Sequence, residues 1–280
     1  MIGGVMSSIV LKENKYGQKI WLNENNHVGQ AIIQKGVYDE HAIYYIEKIL
    51  TYLQEPVCLD IGANIGNHAL VMSRFSKMVY CFDPESENID FLTKNKQANH
   101  LHNMQVLGVG LSDENASLTF YKNGRGGCST FSPDLKGEGY TEEMLTCRIG
   151  DEVIEEQAIN HIDFIKIDIE GFEARALYGL KNSIQKSRPI LMMEWNNNTT
   201  REQFKKYDLF NIVFKNYCVL AVLNNHHRNY WGQRFVAKVA RFFYRKIIKK
   251  RRILCQFNAE NSYVNVILYP AEKSWVADIK

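Results

Sequence analysis

No stretch of this 280-residue chain reaches eighteen consecutive apolar residues, and no basic-then-apolar segment opens it. Those absences argue against a helical membrane span and a standard secretion signal, so a cytoplasmic protein is expected. The six cysteines (Cys58, Cys81, Cys128, Cys147, Cys218, Cys255) include no C-x-x-C pair. Zinc and dithiol spacings are therefore missing, and reduced core or loop thiols are expected. No internal repeat and no low-complexity linker divides the chain, so one domain over 1–280 is expected. Acidic residues are absent between Asp208 and Glu260, while Arg228 to Arg252 carry ten Lys and Arg. The net charge of +3 hides this asymmetry, because 24 basic residues face 31 acidic ones outside that block. A basic block on an acidic body points to a surface or a partner.

What is present is a core. With 45% apolar and 12% aromatic residues the chain can bury a sizeable interior. Residues 1–38 read as short strands and turns, with Ile20, Trp21 and Leu22 as one strand. A helix follows over 39–53, since Ala42, Ile46, Ile49 and Leu53 share a face, and Pro56 stops it. Strands over 57–60, 78–83, 104–111, 117–121, 162–168 and 189–195 then interleave with helices over 67–76, 85–99 (Ser86 as N-cap) and 173–184. This alternation predicts an α/β fold with a mostly parallel sheet and helices on both faces. Two later β-rich runs, 217–223 and 263–268, lie about thirty-nine residues apart, so 224–262 reads as an insertion between the last two strands.

The most informative stretch is P-V-C-L-D-I-G-A-N-I-G, from Pro56 to Gly66. It reads as strand, glycine turn and helix, the arrangement that brings backbone close to a nucleotide. The spacing is neither G-x-G-x-x-G nor a P-loop, and the missing third glycine disfavours a nicotinamide dehydrogenase. Asp60 at the turn's entrance would repel a pyrophosphate but suits the ammonium of a methionine moiety. Asp83, seventeen residues past Gly66 at the end of the second strand, can accept both hydroxyls of a ribose. The inferred ligand is S-adenosylmethionine.

Several ordered motifs now resemble one family. D-I-G-A-N-I-G (60–66), F-D-P-E-S-E-N (82–88), Asn88, Asn95 and Asn99 around Leu92, G-L-S-D (110–113) and I-D-F-I-K-I-D-I-E-G-F-E (162–173) are similar to the FkbM family of S-adenosylmethionine-dependent methyltransferases. The resemblance covers roughly residues 30–200. It implies the class I methyltransferase (Rossmann-like) fold, with seven strands of which the last is antiparallel. It also implies O-methylation of hydroxyls on sugars or natural products, with cofactor contacts from Gly62, Asn64, Gly66 and Asp83 and with Ser112 or Asp113 near the adenine. Asp83 stands where the family more often has Glu, which preserves the chemistry. The 224–262 insertion has no counterpart in it.

An alcohol acceptor needs a base to take its proton. Asp168 and Glu170 end the 162–168 strand two residues apart, so continued strand geometry would turn both to one side. Either is a candidate base, although a strand-end carboxylate also commonly caps a helix or orients a neighbour such as Lys166. Asp168, Glu194 and Asn196 would converge if their strands are neighbours, and such oxygen ligands suit Mg²⁺. No third carboxylate is evident for that site. Tyr38, Asp39, Glu40 and His41 are expected to cap the cofactor or to start a helix, and residues 1–55 to cover its site. Gly124–Thr130 reads as a mobile loop over substrate or as an exposed linker.

Within Arg234–Arg252, Arg234, Lys238, Arg241, Arg245, Lys249 and Arg252 fall on one helical face, opposite Val236, Val239, Phe243 and Ile247. Such a basic amphipathic helix could lie on an anionic membrane, dock on its own domain and steer an anionic substrate, or bind nucleic acid. No aromatic-and-glycine RNA motif accompanies it, which argues against nucleic acid. The partner expected first is a small-molecule or glycan acceptor. The alternative from another class is a non-catalytic module of the same fold that holds a membrane or partner through this helix.

Overall fold

A computed structural model describes residues 8–123, 129–223 and 253–279. The basic helix and most of the Gly124–Thr130 loop lie outside these residues. The N-terminal part is richer than its sequence pattern. Strands β1 (Ile9–Glu13) and β2 (Lys19–Asn23) form an antiparallel hairpin, followed by helices α1 (His27–Lys35) and α2 (Glu40–Thr51). Helix α1 escapes a reading of 1–38 as strands and turns. Asn26 caps it by accepting from the Gly29 amide, and Gly36 ends it in a left-handed conformation at φ 78°.

The central part alternates as the periodicity predicts. Strands β3 (Val57–Ile61), β4 (Met78–Phe82) and β5 (Met104–Leu107) are interleaved with helices α3 (Asn67–Met72) and α4 (Ser86–Ala98). Glu85, not Ser86, holds the N-cap position of α4, and it makes no side-chain capping bond. The expected strand 104–111 is two. After Leu107 the chain leaves the main sheet, and β6 (Gly110–Ser112) joins β7 (Ala116–Lys122) and β8 (Thr141–Ile149) in a separate three-stranded sheet. Helix α5 (Gly150–Glu156) leads to β9 (Phe164–Ile167).

The expected helix over 173–184 breaks into α6 (Glu173–Gly179) and α7 (Lys181–Ser187). At the break a Cβ on Gly179 would meet the Ser112 carbonyl oxygen at 1.8 Å, so only glycine lets β6 pack so close. Strand β10 (Ile190–Trp195), helices α8 (Asn198–Lys206) and α9 (Leu209–Ile212), and strands β11 (Tyr217–Leu223), β12 (Ile253–Gln256) and β13 (Tyr263–Pro270) complete the described chain.

The main sheet has the order β12-β11-β13-β10-β9-β3-β4-β5. Its parallel strands run from β5 to β10. Strand β13 inserts antiparallel between β10 and β11, and β12 adds an antiparallel edge. This is the class I methyltransferase sheet of seven strands with one more at its edge. The eighth strand falls inside the segment read as an insertion, whose last described residues therefore extend the sheet.

Both faces are covered, as a parallel sheet requires. Leu59, Ile61, Ile165, Ile167, Leu191 and Met193 pack beneath α5 to α9. The alternate positions Cys58, Val79, Cys81, Phe164, Ile190 and Met192 pack beneath α2, α3 and α4. Strand parity thus puts the polar positions Asp60 and Lys166, which pair in register, on the second face. Among the described cysteines, Cys58, Cys81 and Cys147 are buried and all five are free thiols.

Candidate functional site

The strand order reverses between β3 and β9, and a cleft of about 390 Å³ opens beyond the carboxyl ends of β3, β4 and β9. That is where open α/β sheets bind ligands. Gly62, Asn64, Asp83, Asp168 and Glu170 all line it.

The glycine turn is held shut by its own bonds. The amides of Gly62 and Ala63 both donate to the Phe82 carbonyl, at 2.9 and 3.1 Å. The Asn64 amide donates to Asp83 Oδ2 at 2.8 Å, and the Ile65 amide to the Asn64 side chain. These amides are used within the chain, so the turn offers no phosphate cradle. Glycine is needed at position 62 for contact with the next strand end. Its φ is 78°, and a Cβ there would meet the Asp168 carbonyl oxygen at 2.1 Å. Gly66, at φ 89°, starts α3 behind the turn and outside the cleft wall.

Asp83 is buried and well supplied with donors. Its Oδ1 accepts from the Glu85 amide and Asn88 Nδ2, both at 3.1 Å, and Oδ2 from Asn64. A carboxylate oxygen takes about two donors, so Oδ2 keeps capacity for one ligand hydroxyl. Burial pushes Asp83 up to about 6 against the pull of these hydrogen bonds. Asp60 lies fully buried beneath the turn and outside the cleft wall, with both carboxylate oxygens lacking a hydrogen-bond partner. Burial lifts it to about 6 as well, and the Lys166 ammonium acts the other way.

Asp168, Glu170 and Glu194 come together, each offering a carboxylate oxygen within 4.8 Å of the others. The convergence does not come from continued strand geometry. Strand β9 ends at Ile167, and the chain turns through Glu170 at φ 49° and Gly171 at φ 90°. Glu173 fixes this turn. It is buried, its Oε1 accepts from the amides of Ile169 (3.3 Å) and Gly171 (3.1 Å), and its Oε2 accepts from Thr200 Oγ1 (2.8 Å).

Glu170 is thus a third carboxylate beside Asp168 and Glu194. Asn196 stands behind the group, donating to Glu194 Oε2 at 2.6 Å. Burial, together with the neighbouring Asp168 and Glu170 carboxylates, pushes Glu194 up to about 10. Lys166 donates to Asp168 Oδ2 at 2.8 Å. Burial would lower this lysine, but the surrounding carboxylates of Asp168, Asp60 and Glu194 hold it above its ordinary range.

Two expected adenine contacts stand apart from the cleft. Ser112 is fully buried against α6. Asp113 accepts from Arg175 Nε and the Tyr207 hydroxyl, each at 2.6 Å. Burial would raise Asp113, but those bonds take it below the ordinary carboxylate range.

Several lining residues belong to no sequence motif: Asn23, Asn26, His27, His68, Phe120, Lys122 and Phe131. The first three arrive on the N-terminal hairpin and α1, and no local pattern marks them. Tyr38, expected as a cap, does line the cleft. Its amide donates to Asn67 Oδ1 and its carbonyl accepts from Asn67 Nδ2, both at 3.0 Å. Asp39 instead caps α2 through the Ala42 amide. His68 is buried with no hydrogen-bond partner at Nε2, and burial takes it well below the ordinary imidazole range.

This arrangement has relatives. A family model described as the methyltransferase FkbM domain matches residues 60–230. The chain is 28% identical over 134 residues to the hexuronic acid methyltransferase AglP of Haloferax volcanii, covering 47% of this chain and 53% of that protein. It is 27% identical over 154 residues to the 2-O-methyltransferase NoeI of Sinorhizobium fredii, covering 49% and 62%. The chain therefore matches only about half to three-fifths of the length of these curated relatives. A crystal structure of the methyltransferase FkbM from Methylobacillus flagellatus superposes with a TM-score of 0.46 at 16% identity, over 77% of this chain and 44% of that one. With the family model spanning more than half of the sequence, the chain belongs to the FkbM methyltransferase family.

Proposed function

We propose that this protein transfers a methyl group from S-adenosylmethionine to a hydroxyl of a sugar or similar natural product. One observation carries the reading. The cleft at the strand-order reversal joins a ribose-accepting carboxylate, Asp83, to a carboxylate group, Asp168 and Glu170, across the Gly62 turn. Its volume suits a nucleoside-sized ligand. The closed turn supports a ligand without a pyrophosphate. The names of the curated relatives, one acting on a hexuronic acid and one at a 2-O position, support a sugar hydroxyl as acceptor.

When bound, S-adenosylmethionine supplies an electrophilic methyl group whose carbon–sulfur bond breaks as the acceptor oxygen attacks. The chain's own residues do the rest. Asp83 Oδ2 would orient the ribose, and Asn64 and Gly62 would set its depth. Asp168 or Glu170 would take the acceptor proton, leaving the oxygen lone pair to form the new bond. Lys166 holds Asp168 in place by donating to its Oδ2. Alignment of acceptor and methyl within such walls can supply on the order of 7–11 kcal/mol of the barrier reduction.

Calorimetry with S-adenosylhomocysteine tests the reading. Heat of binding is expected for the native chain and should be lost in Asp83→Ala; a native chain that binds neither cofactor form sinks the proposal. Asp168→Asn and Glu170→Gln should keep binding, while the catalytic base lowers kcat by about a hundredfold or more when replaced.

The Mg²⁺ expectation is separate: activity unchanged in chelator removes it. Separate too is a peripheral hold on anionic membrane through the ten basic residues of 228–252. Vesicle flotation that does not depend on anionic lipid would remove that role. Among the described residues, no helix is long and apolar enough to cross a membrane.

A further inference from the structure

The cleft lining is acidic: Asp83, Glu85, Glu87, Asp168 and Glu170 bring five carboxylates to it. Among the described lining residues the only lysine or arginine is Lys122. That ammonium is already bonded to Glu85 and lies 3.0 Å from Glu87. Lys166, behind the wall, is bonded to Asp168. Lys122 and Lys166 are thus matched by the protein's own carboxylates.

The lining also carries aromatic rings. The rings of Phe120 and Phe131 lie 4.9 Å apart, and Phe131 rests on Phe172 at 5.1 Å, which supports it from behind. Thr130 Oγ1 donates to the Glu170 carbonyl at 2.6 Å, so the chain segment carrying Phe131 is tied to the one carrying Glu170. The aromatic face therefore adjoins the carboxylates assigned to proton removal.

A sugar ring has an apolar C–H face and an edge of hydroxyl donors. Carboxylates accept only, so they pair with hydroxyls and repel another carboxylate or a phosphate. We propose that the acceptor is a sugar without negative charge, neutral or amino-substituted. It would lay its C–H face on Phe131 and Phe120 and turn its hydroxyls to Asp168 and Glu170, and acidic sugars would be excluded, so this chain would differ in acceptor charge from the Haloferax volcanii relative named for a hexuronic acid. This rests on the methyltransferase reading above and narrows its substrate class.

The test uses the full chain saturated with S-adenosylhomocysteine. Saturation is verified first by calorimetry, so failure there counts against the methyltransferase reading. Saturation-transfer NMR titrations then compare methyl glucoside, methyl glucosaminide and methyl glucuronide. The first two should bind, and the glucuronide at least about tenfold more weakly, with the gap narrowing as salt screens the walls. Glucuronide binding equal to or tighter than the neutral glycoside overturns the proposal, as does binding of none of the three. Phe131→Leu keeps an apolar side chain but removes the ring. It should weaken the neutral glycoside about tenfold with cofactor affinity unchanged, and unaltered glycoside affinity would overturn the stacking role.

Discussion

Glu173 shows how a charged residue can serve geometry. It is buried, and burial raises its carboxyl above the ordinary range, yet it accepts from two amides and a hydroxyl. Those bonds hold the turn that places Glu170 beside Asp168. Glu173→Ala should cost about 3 kcal/mol by leaving buried donors unmade, and should lower kcat more than cofactor affinity. Glu173→Gln, which still accepts from both amides, should retain most of each. Melting curves and steady-state kinetics check both.

Asp60 and Asp83 set a pH dependence whose sign can be worked out. Both sit near 6 in the fold because burial lifts them from 3.8. Between these values the native chain holds protons that the unfolded chain has released, so stability contributed by these groups falls as pH rises through the window. Melting temperatures across it should show the fall, and Asp60→Asn, with no proton to lose, should flatten it. Cofactor affinity has the opposite slope. A protonated Asp83 is a weaker acceptor for a ribose hydroxyl, so affinity for S-adenosylhomocysteine should fall below about pH 6, by up to about tenfold per unit. Calorimetry at several pH values reads this, and Asp83→Asn should remove the slope.

Between elements, asparagine side chains replace strand pairing. Asn95 and Asn99 lie one turn apart on α4. Asn95 accepts from the Trp21 amide and donates to the carbonyls of Trp21 and Ile65, and Asn99 bonds both the amide and the carbonyl of Lys19. A helix thereby satisfies the edge of β2. Asn95→Ala breaks three bonds in a buried place and should cost about 2–4 kcal/mol, with faster amide exchange in 19–23. Asn99→Ala, nearer solvent, should cost about 1 kcal/mol.

Gly62 joins the turn after β3 to the end of β9 in the same manner. Gly62→Ala forces a Cβ against the Asp168 carbonyl and strains the backbone by on the order of 1–3 kcal/mol. Cofactor affinity and kcat should therefore fall together.

For the whole molecule, the N-terminal segment is part of the cleft lining. Ile20, Leu22, Val28 and Ile32 pack on Ile65, Leu70 and Phe91, while Asn23, Asn26 and His27 line the cleft. Each buried aliphatic side chain contributes about 1.5–3 kcal/mol. A chain starting at Val37 should melt well below the full chain and lose cofactor binding, which thermal scans and calorimetry would read. Retained binding would show that the cofactor does not depend on this segment.

The sequence by itself determined the parallel sheet, because apolar strand runs alternate with helical patterns from Val57 to Trp195, and that periodicity is local. It also determined the glycine turn and the family motifs around it. Tertiary structure alone decided which carboxylates meet. Glu170 reaches Asp168 and Glu194 through a left-handed turn held by Glu173 and Thr200, while Ser112 and Asp113 turn toward α6 and Tyr207. Only the tertiary structure brings Asn23, His27 and Phe131 to one cleft, because their convergence depends on how distant elements pack and leaves no mark in the local pattern.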